Sequence, residues 1–246
     1  MIRRHRAEEI GIDRRRLLRA AAGAAGAAFL AACDSMGPKS AKKLLQYAMD
    51  KNESLERTLF RHTSMDAAAA GAKIAGNSFP SYFISKHVPV WDDAMRGVWR
   101  LEVSGMVDQP LQLSLSDLSG LPRIGYKLNH YCVEGWTAIA TRTGVRLSDI
   151  AALAKVQRGA RYVDFQSFDD GYHESWDIES AMHPQTLVVY AQDGHYLNPA
   201  WGAPARIYSP TKLGYKNTKY LTKIVFMPER NGGYWSDYGY EWYGGV

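Results

Sequence analysis

The octet Asn129-His130-Tyr131-Cys132-Val133-Glu134-Gly135-Trp136 decides the reading of this chain, because it holds one of only two cysteines in 246 residues. The other, Cys33, lies ninety-nine positions earlier. Such a pair cannot build a disulfide scaffold, a zinc ribbon, a CxxC redox pair or a CxxCH haem-attachment site. Three readings of Cys132 stay open on the residues alone. It is a buried thiol of no chemical role, a thiolate nucleophile with His130 or His87 as base, or one soft ligand to a metal. No HxxxH or HExxH pair accompanies it, so a metal would take most of its ligands from a cofactor.

Outward from the octet, residues 79–246 read as one α+β domain with a mixed, mainly β core and short helices. Trp99 to Val107 alternates as a strand and Gly105 to Pro110 contains a turn. Further strands are expected at 161–167, 186–191, 204–209 and 221–227. Ser116-Asp117-Leu118 and Ser148-Asp149-Ile150-Ala151 read as starts of short helices, since Ser and Asp cap exposed amide groups. Upstream, residues 42–60 carry an amphipathic helical pattern with Asn52 as a break, and Ala67–Ala75 is a further short helix. Domain bounds follow: a targeting segment at 1–33, a tether and helices at 34–76, the main domain at 77–230, and an aromatic tail at 231–246 packed on it.

Charge separates the same parts. The chain carries a formal +5. Residues 1–32 hold seven Arg against three acids, which leaves 23 basic and 22 acidic residues in the remainder. A nearly neutral body lacks the basic face that nucleic-acid binding requires. With 46% hydrophobic residues the chain is too apolar for disorder. Asp13-Arg14-Arg15-Arg16-Leu17-Leu18-Arg19 precedes an uncharged Ala20 to Ala32 run, a charged region before a short apolar one. That run is too short and too rich in Ala and Gly to span a bilayer, which needs about 20 apolar residues. The paired arginines resemble the twin-arginine export signal, and Leu30-Ala31-Ala32-Cys33 resembles a bacterial lipobox with Cys33 as the acylated residue. These features imply a periplasmic protein, with Asp34 after the lipidated cysteine pointing to the inner membrane.

A second resemblance concerns the domain. The octet, with Val145-Arg146-Leu147, Ala203-Pro204-Ala205-Arg206 and Gly214-Tyr215-Lys216-Asn217-Thr218-Lys219-Tyr220, resembles the molybdopterin-binding domain of the sulfite oxidase family. The Cys-Val-Glu-Gly-Trp form is closer to the bacterial periplasmic methionine-sulfoxide reductase catalytic subunits than to sulfite oxidases, which typically carry Cys-Ala-Gly-Asn. The resemblance implies a sulfite-oxidase-type fold, molybdenum and molybdopterin as cofactors, and Cys132 as the metal's protein ligand. It also implies that Arg206, Lys216 and Lys219 hold the cofactor's phosphate and that Asn217 and Ser167 read its pterin. Lys86 and His87 would contact the cofactor, His87 falling on the family histidine, and Tyr172 would be an active-site hydroxyl donor.

One departure bears on substrate. Ser85 stands where sulfite oxidases place the arginine that binds sulfite, which argues against that dianion. Trp201 stands where relatives carry a polar residue and would wall a pocket suited to a neutral molecule. The function implied is oxygen-atom transfer on a small molecule, sulfoxide reduction before oxidation of a sulfur compound. The chain has no haem, flavin or iron–sulfur motif, so an external electron carrier is required, a cytochrome or haem protein of the membrane. Dimeric relatives carry an extra immunoglobulin-like domain after this point, so a monomer is expected. Two readings of other classes stand beside this one, a thiol-dependent hydrolase using Cys132 and a non-catalytic binding lipoprotein.

Overall fold

The computed structural model describes residues 39–60, 65, 74–75 and 81–246. The expected export segment with Cys33, the tether before residue 39 and residues 67–73 of the helix expected at Ala67–Ala75 lie outside the described residues. Helix α1 (Lys39–Leu59) runs unbroken through Asn52. An exposed Asn costs a helix only a few tenths of a kcal/mol against better formers, roughly 0.7 at most, too little to end it. After it come β1 (Ile74–Ala75), α2 (Asp93–Arg96), β2 (Leu101–Gly105), β3 (Leu111–Leu113) and α3 (Leu115–Gly120). The middle of the chain holds β4 (Arg123–Tyr131), β5 (Thr137–Arg146), α4 (Leu147–Ala154), β6 (Tyr162–Ser167), β7 (His173–Asp177) and α5 (Ile178–Ala181). The last part holds β8 (Leu187–Gln192), β9 (His195–Tyr196), β10 (Arg206–Tyr208), β11 (Leu221–Met227) and α6 (Tyr234–Asp237).

Two compact units are distinguished, residues 1–54 and 55–246. Among the described residues the first is α1 as far as Ser54, and the second contains every strand. One sheet has six strands in the order β1-β5-β8-β10, with β4 on β5 and β9 on β8; the other has five, β3-β2-β11-β6-β7. Most pairs are antiparallel, but β1 runs parallel to β5 and β2 parallel to β11. The sheet-dominated α+β domain with short helices is therefore the fold that the strand patterns predicted. Ile74 and Ala75 correct the expected helix at Ala67–Ala75, since they pair with Ala138 and Ile139 as strand.

The core draws on both sheets. Leu101, Val103, Val163, Phe165, Ile224 and Phe226 come from the five-stranded sheet, and Val145, Val188 and Ile207 from the six-stranded one, all in one buried cluster with Leu147 and Ile150 of α4. Each fully buried side chain of this kind contributes roughly 1.5–3 kcal/mol. Trp176, fully buried on β7, meets Phe165 edge-on at 4.8 Å and donates its indole N–H to the Lys216 carbonyl at 2.9 Å. The core thus fixes the backbone of a segment that flanks the site.

Of the two longest strands, β4 alternates in sequence through Ile124, Tyr126 and Leu128, which sequence reading passed over, whereas β5 carries no apolar alternation. On β5 the inward positions are Ala138, Ala140, Arg142 and Gly144, small or charged residues that a hydropathy pattern does not register. Gly144 is required by packing: a Cβ there would stand 2.1 Å from the Val188 carbonyl oxygen, where β5 and β8 shift register. Helix starts moved by one or two residues. Ser114, not Ser116, caps α3 in a reciprocal box with Asp117. Helix α4 begins at fully buried Leu147, whose N–H bonds the Thr186 carbonyl at 3.0 Å.

Candidate active site

Cys132 sits at the tip of the hairpin formed by β4 and β5, which are paired from Arg123↔Val145 to Tyr131↔Thr137. The tip is closed by Gly135 N–H to the Cys132 carbonyl at 3.0 Å and by Cys132 N–H to the Trp136 carbonyl at 3.0 Å. Gly135 has φ of +84°, a left-handed conformation that glycine adopts without a Cβ penalty. The sequence Cys-Val-Glu-Gly-Trp is thus a turn that aims one half-buried thiol outward from two rigid strands. Its sulfur lies 3.9 Å from Glu134 Oε2, and the same carboxylate accepts from the Tyr82 hydroxyl and the Trp136 indole, each at 2.9 Å. Burial, then the Glu134 carboxylate, raises the Cys132 pKa, while the bonds from Trp136 and Tyr82 lower that of Glu134.

The thiol opens on a cavity of about 340 Å³ at the seam between the two sheets. The six-stranded sheet contributes Cys132 from the β4–β5 tip and Arg206 from β10. The five-stranded sheet contributes Ser167 from the end of β6, Tyr172 from the β6–β7 turn, and Lys219 and Tyr220 ahead of β11. Arg206 is buried and donates to the Trp201 carbonyl at 3.2 Å and the Asn217 carbonyl at 3.1 Å, while its Nε has no hydrogen-bond partner among the described residues. Burial, then the charge of Arg142, lowers Arg206 to about 9. Lys219 reaches the Ala200 carbonyl at 3.1 Å and the Ser81 hydroxyl at 3.4 Å; burial, then Arg206, lowers it to about 7. Two cations are held together here against desolvation and their own repulsion.

Six of the residues expected at the site line this cavity: Cys132, Ser167, Tyr172, Arg206, Asn217 and Lys219. Trp201 lines it too. Their bonds narrow what each can do. Tyr172 donates its hydroxyl proton to the Tyr215 carbonyl at 2.5 Å and stacks on Tyr234, and burial pushes its pKa well up. The expected donation toward the metal is replaced by this backbone bond. Asn217 spends its whole amide on the chain, donating to the Lys212 and Leu213 carbonyls and accepting from Ser209 N–H. It positions Arg206 rather than offering a free amide. Ser167 Oγ accepts from Asp169 N–H at 2.9 Å, which leaves its own proton to donate.

Three expected contacts lie elsewhere. Lys216 is fully buried beneath the cavity, with its ammonium on Glu174, because β7 offers a carboxylate where no water reaches. Lys86 and His87 are exposed and outside the cavity lining. Their loop is turned by Asp169, which accepts from Ile84 N–H at 2.8 Å, Ser85 N–H at 3.1 Å and the Ser85 hydroxyl. Tyr82, Phe83 and Ile84 face the cavity in their place. Sequence reading missed Tyr82, Asp169, Tyr220, Trp235 and Tyr240, which line the cavity, and Arg142, buried beside it with its guanidinium 4.0 Å over the Tyr208 ring. An uncommon arginine at an inward strand position was the one sign available for Arg142.

The arrangement suits a large anionic cofactor that brings its own metal ligands. Among the described residues no three His, Cys, Asp or Glu side chains cluster as a metal site, so a soft metal here has Cys132 and must find its other ligands in a bound group. The Arg206 Nε and the Tyr220 hydroxyl are buried lining groups without partners among the described residues, as expected where a polar ligand completes them. The cationic pair fits a phosphate. Among the described residues Cys132 has no histidine as a hydrogen-bond partner, and burial with Glu134 raises its pKa, which does not favour a hydrolytic nucleophile.

Comparison with known proteins points the same way. The family described as oxidoreductase molybdopterin binding domain matches residues 86–235. The Azospira oryzae protein YedZ1, named as a putative protein-methionine-sulfoxide reductase subunit, is 36% identical over 210 residues, 80% of each chain. The protein-methionine-sulfoxide reductase catalytic subunit MsrP of Ralstonia nicotianae is 28% identical over 242 residues, 91% of this chain and 71% of that one. The sulfane dehydrogenase SoxCD from Paracoccus pantotrophus shares the fold, with a TM-score of 0.51 and 21% identity over 54% of this chain and 39% of its own. A lone thiol facing a cavity with a buried arginine and lysine in its wall thus occurs in a chain that belongs to the oxidoreductase molybdopterin-binding domain family, with molybdopterin and molybdenum as its cofactor.

Proposed function

We propose that this molybdopterin oxidoreductase reduces a small sulfoxide to the thioether. The balance is one sulfoxide, two protons and two electrons giving one thioether and one water, with the S–O bond broken and the electrons drawn from an external carrier. The observation that carries the reading is Cys132 on its hairpin tip, opening into a cavity lined by Arg206, Lys219 and several aromatic rings. Molybdenum held by molybdopterin supplies two-electron oxygen-atom transfer when bound. The chain's own part is to fix the metal through Cys132, hold the cofactor's anionic group with Arg206 and Lys219, and exclude water with Tyr82, Trp136 and Trp201. Ser85 turns to the Asp169 carboxylate and brings no positive charge to the site, which favours a neutral substrate over sulfite. The names of the relatives agree with sulfoxide as substrate.

The experiment is purification from a host able to make the cofactor, with metal analysis and a panel of sulfoxides, sulfite and N-oxides using an artificial electron donor. Molybdenum near one per chain and turnover of sulfoxides are expected. Sulfite oxidation faster than any sulfoxide reduction would overturn the substrate assignment. Cys132→Ser should alter the metal's spectroscopic signature and abolish turnover while leaving the fold intact; full turnover would remove Cys132 as ligand.

The same reading places the protein in the periplasm, exported through its twin-arginine segment and anchored to the inner membrane by acylation of Cys33, as a monomer beside a cytochrome or other haem protein. It is supported by the residue pattern of 1–33, and by the gain in effective concentration that tethering gives a chain dependent on a membrane electron donor. Cys33→Ser should move the protein from the membrane to the soluble periplasmic fraction. Retention on the membrane would exclude the lipid anchor.

A further inference from the structure

We propose that Trp235 and Tyr240, two rings carried by the C-terminal segment, are specificity-determining residues that set the size of the sulfoxide admitted to the cavity; this rests on the sulfoxide-reductase reading above. Both line the cavity. Tyr240 is also 39% exposed, so it stands at the mouth, with Tyr82, 58% exposed, as another lining ring that reaches solvent. Trp235 stands behind Tyr240 with ring centres 5.1 Å apart, and Tyr240 meets the Tyr215 ring at 5.4 Å.

The wall is held from both sides. Trp235 N–H donates to Glu174 Oε1 at 3.1 Å, Tyr240 N–H donates to the Trp235 carbonyl at 3.0 Å, and the Tyr215 hydroxyl donates to the Glu241 carbonyl at 2.5 Å. Two rings fixed in this way act as a steric boundary. Charge assigns them to the substrate: an anionic cofactor group belongs with Arg206 and Lys219, and uncharged rings suit the organic substituents of a neutral sulfoxide. A rigid apolar boundary discriminates by size, and about one methylene group of misfit is worth roughly tenfold or more in kcat/KM.

The test uses the molybdenum-loaded full chain and two variants, Tyr240→Ala at the mouth and Trp235→Leu behind it. In each, kcat/KM is measured for dimethyl sulfoxide and methyl phenyl sulfoxide, together with molybdenum and pterin content. The expected result is a rise of about tenfold in the preference for the larger sulfoxide, with cofactor content unchanged. An unchanged preference overturns the proposal, and so does loss of pterin, which would make the rings cofactor contacts. Calorimetric dissociation constants of the two sulfoxides on metal-free protein form a second arm, with the same shift expected. If the loaded wild type reduces neither compound, the sulfoxide-reductase reading fails, and the wall stands or falls on the binding ratio.

Discussion

Replacing Glu174 by Gln tests whether Lys216 belongs to the fold or to the cofactor. Both side chains are fully buried, and the Lys216 ammonium is held by the Glu174 carboxylate, with Ser236 Oγ at 3.5 Å. Burial raises the pKa of Glu174 and lowers that of Lys216, so desolvation opposes both charges and their mutual attraction offsets it. The amide of Gln keeps the shape and can still accept from Trp235 N–H, but it leaves a buried ammonium with no carboxylate in contact, only the more distant Glu241 and Asp177. Breaking such a pair costs about 3–5 kcal/mol. For a domain of this size, where 1 kcal/mol moves Tm by about 2–4 °C, that is a fall of about 6–20 °C. The assay is thermal unfolding by circular dichroism on cofactor-free protein, so that ligand binding does not shift the midpoint. The double variant Glu174→Leu with Lys216→Met should recover most of the loss, because apolar replacement of both partners of a buried pair is often neutral. A fall below about 2 °C for Glu174→Gln, less than 1 kcal/mol by the same conversion, would refute the argument. So would a Lys216→Met protein that keeps its Tm and loses its molybdenum.

Three further outcomes are expected. Lys219 is lowered from 10.5 to about 7 by burial and Arg206, so the unfolded chain binds the extra proton between those values; cofactor-free protein should gain stability as pH rises from 7 toward 10.5, and Lys219→Met should reduce the gain in denaturant titrations, most clearly between pH 7 and 8, below the lowered values of Lys212 and Arg206. The Asp164 carboxylate at 2.8 Å raises the pKa of His173 above 6.5, so this pair stabilises the fold fully below pH 6.5 and loses its effect as pH rises through the raised value. The stability gap between wild type and His173→Gln should therefore shrink as pH rises, and a gap that widens would remove the pair as its source. Gly144→Ala would drive a methyl to 2.1 Å from the Val188 carbonyl, and a loss of about 3 kcal/mol in urea unfolding is expected from forcing β5 away from β8; a neutral outcome would mean the strands separate freely there.

How far the sequence could be read depended on whether a residue's role is set by its neighbours in the chain. Strands β6, β8, β10 and β11 were legible within two residues because their own apolar residues face the core, as Val163, Phe165, Ile224 and Phe226 do. In the hairpin that carries Cys132, β5 was not legible because its inward positions are small or charged, while β4 does alternate through Ile124, Tyr126 and Leu128 and was passed over. The site divides likewise. Gly135 marks the turn that presents Cys132, and the thiol, Arg206 and Lys219 could be named from local motifs.

Lys216 and Lys219 show where local reading ends. They stand three positions apart in one segment, are the same residue type, and were expected to share one task. The short helical turn at Gly214–Lys216 directs the first inward to Glu174, forty-two residues earlier on β7, while the second emerges past it onto the cavity beside Arg206. Nothing within the segment distinguishes a cation matched by an acid of the fold from one left for a ligand. The distinction is made by the non-local partner. Among the three basic residues expected to hold the cofactor's phosphate, the one whose charge the protein neutralises is structural and lies outside the cavity lining. The two whose charges it leaves opposed to each other are the ones a bound anion completes, which is why stability and cofactor affinity should respond in opposite directions at Lys219 and together at Glu174.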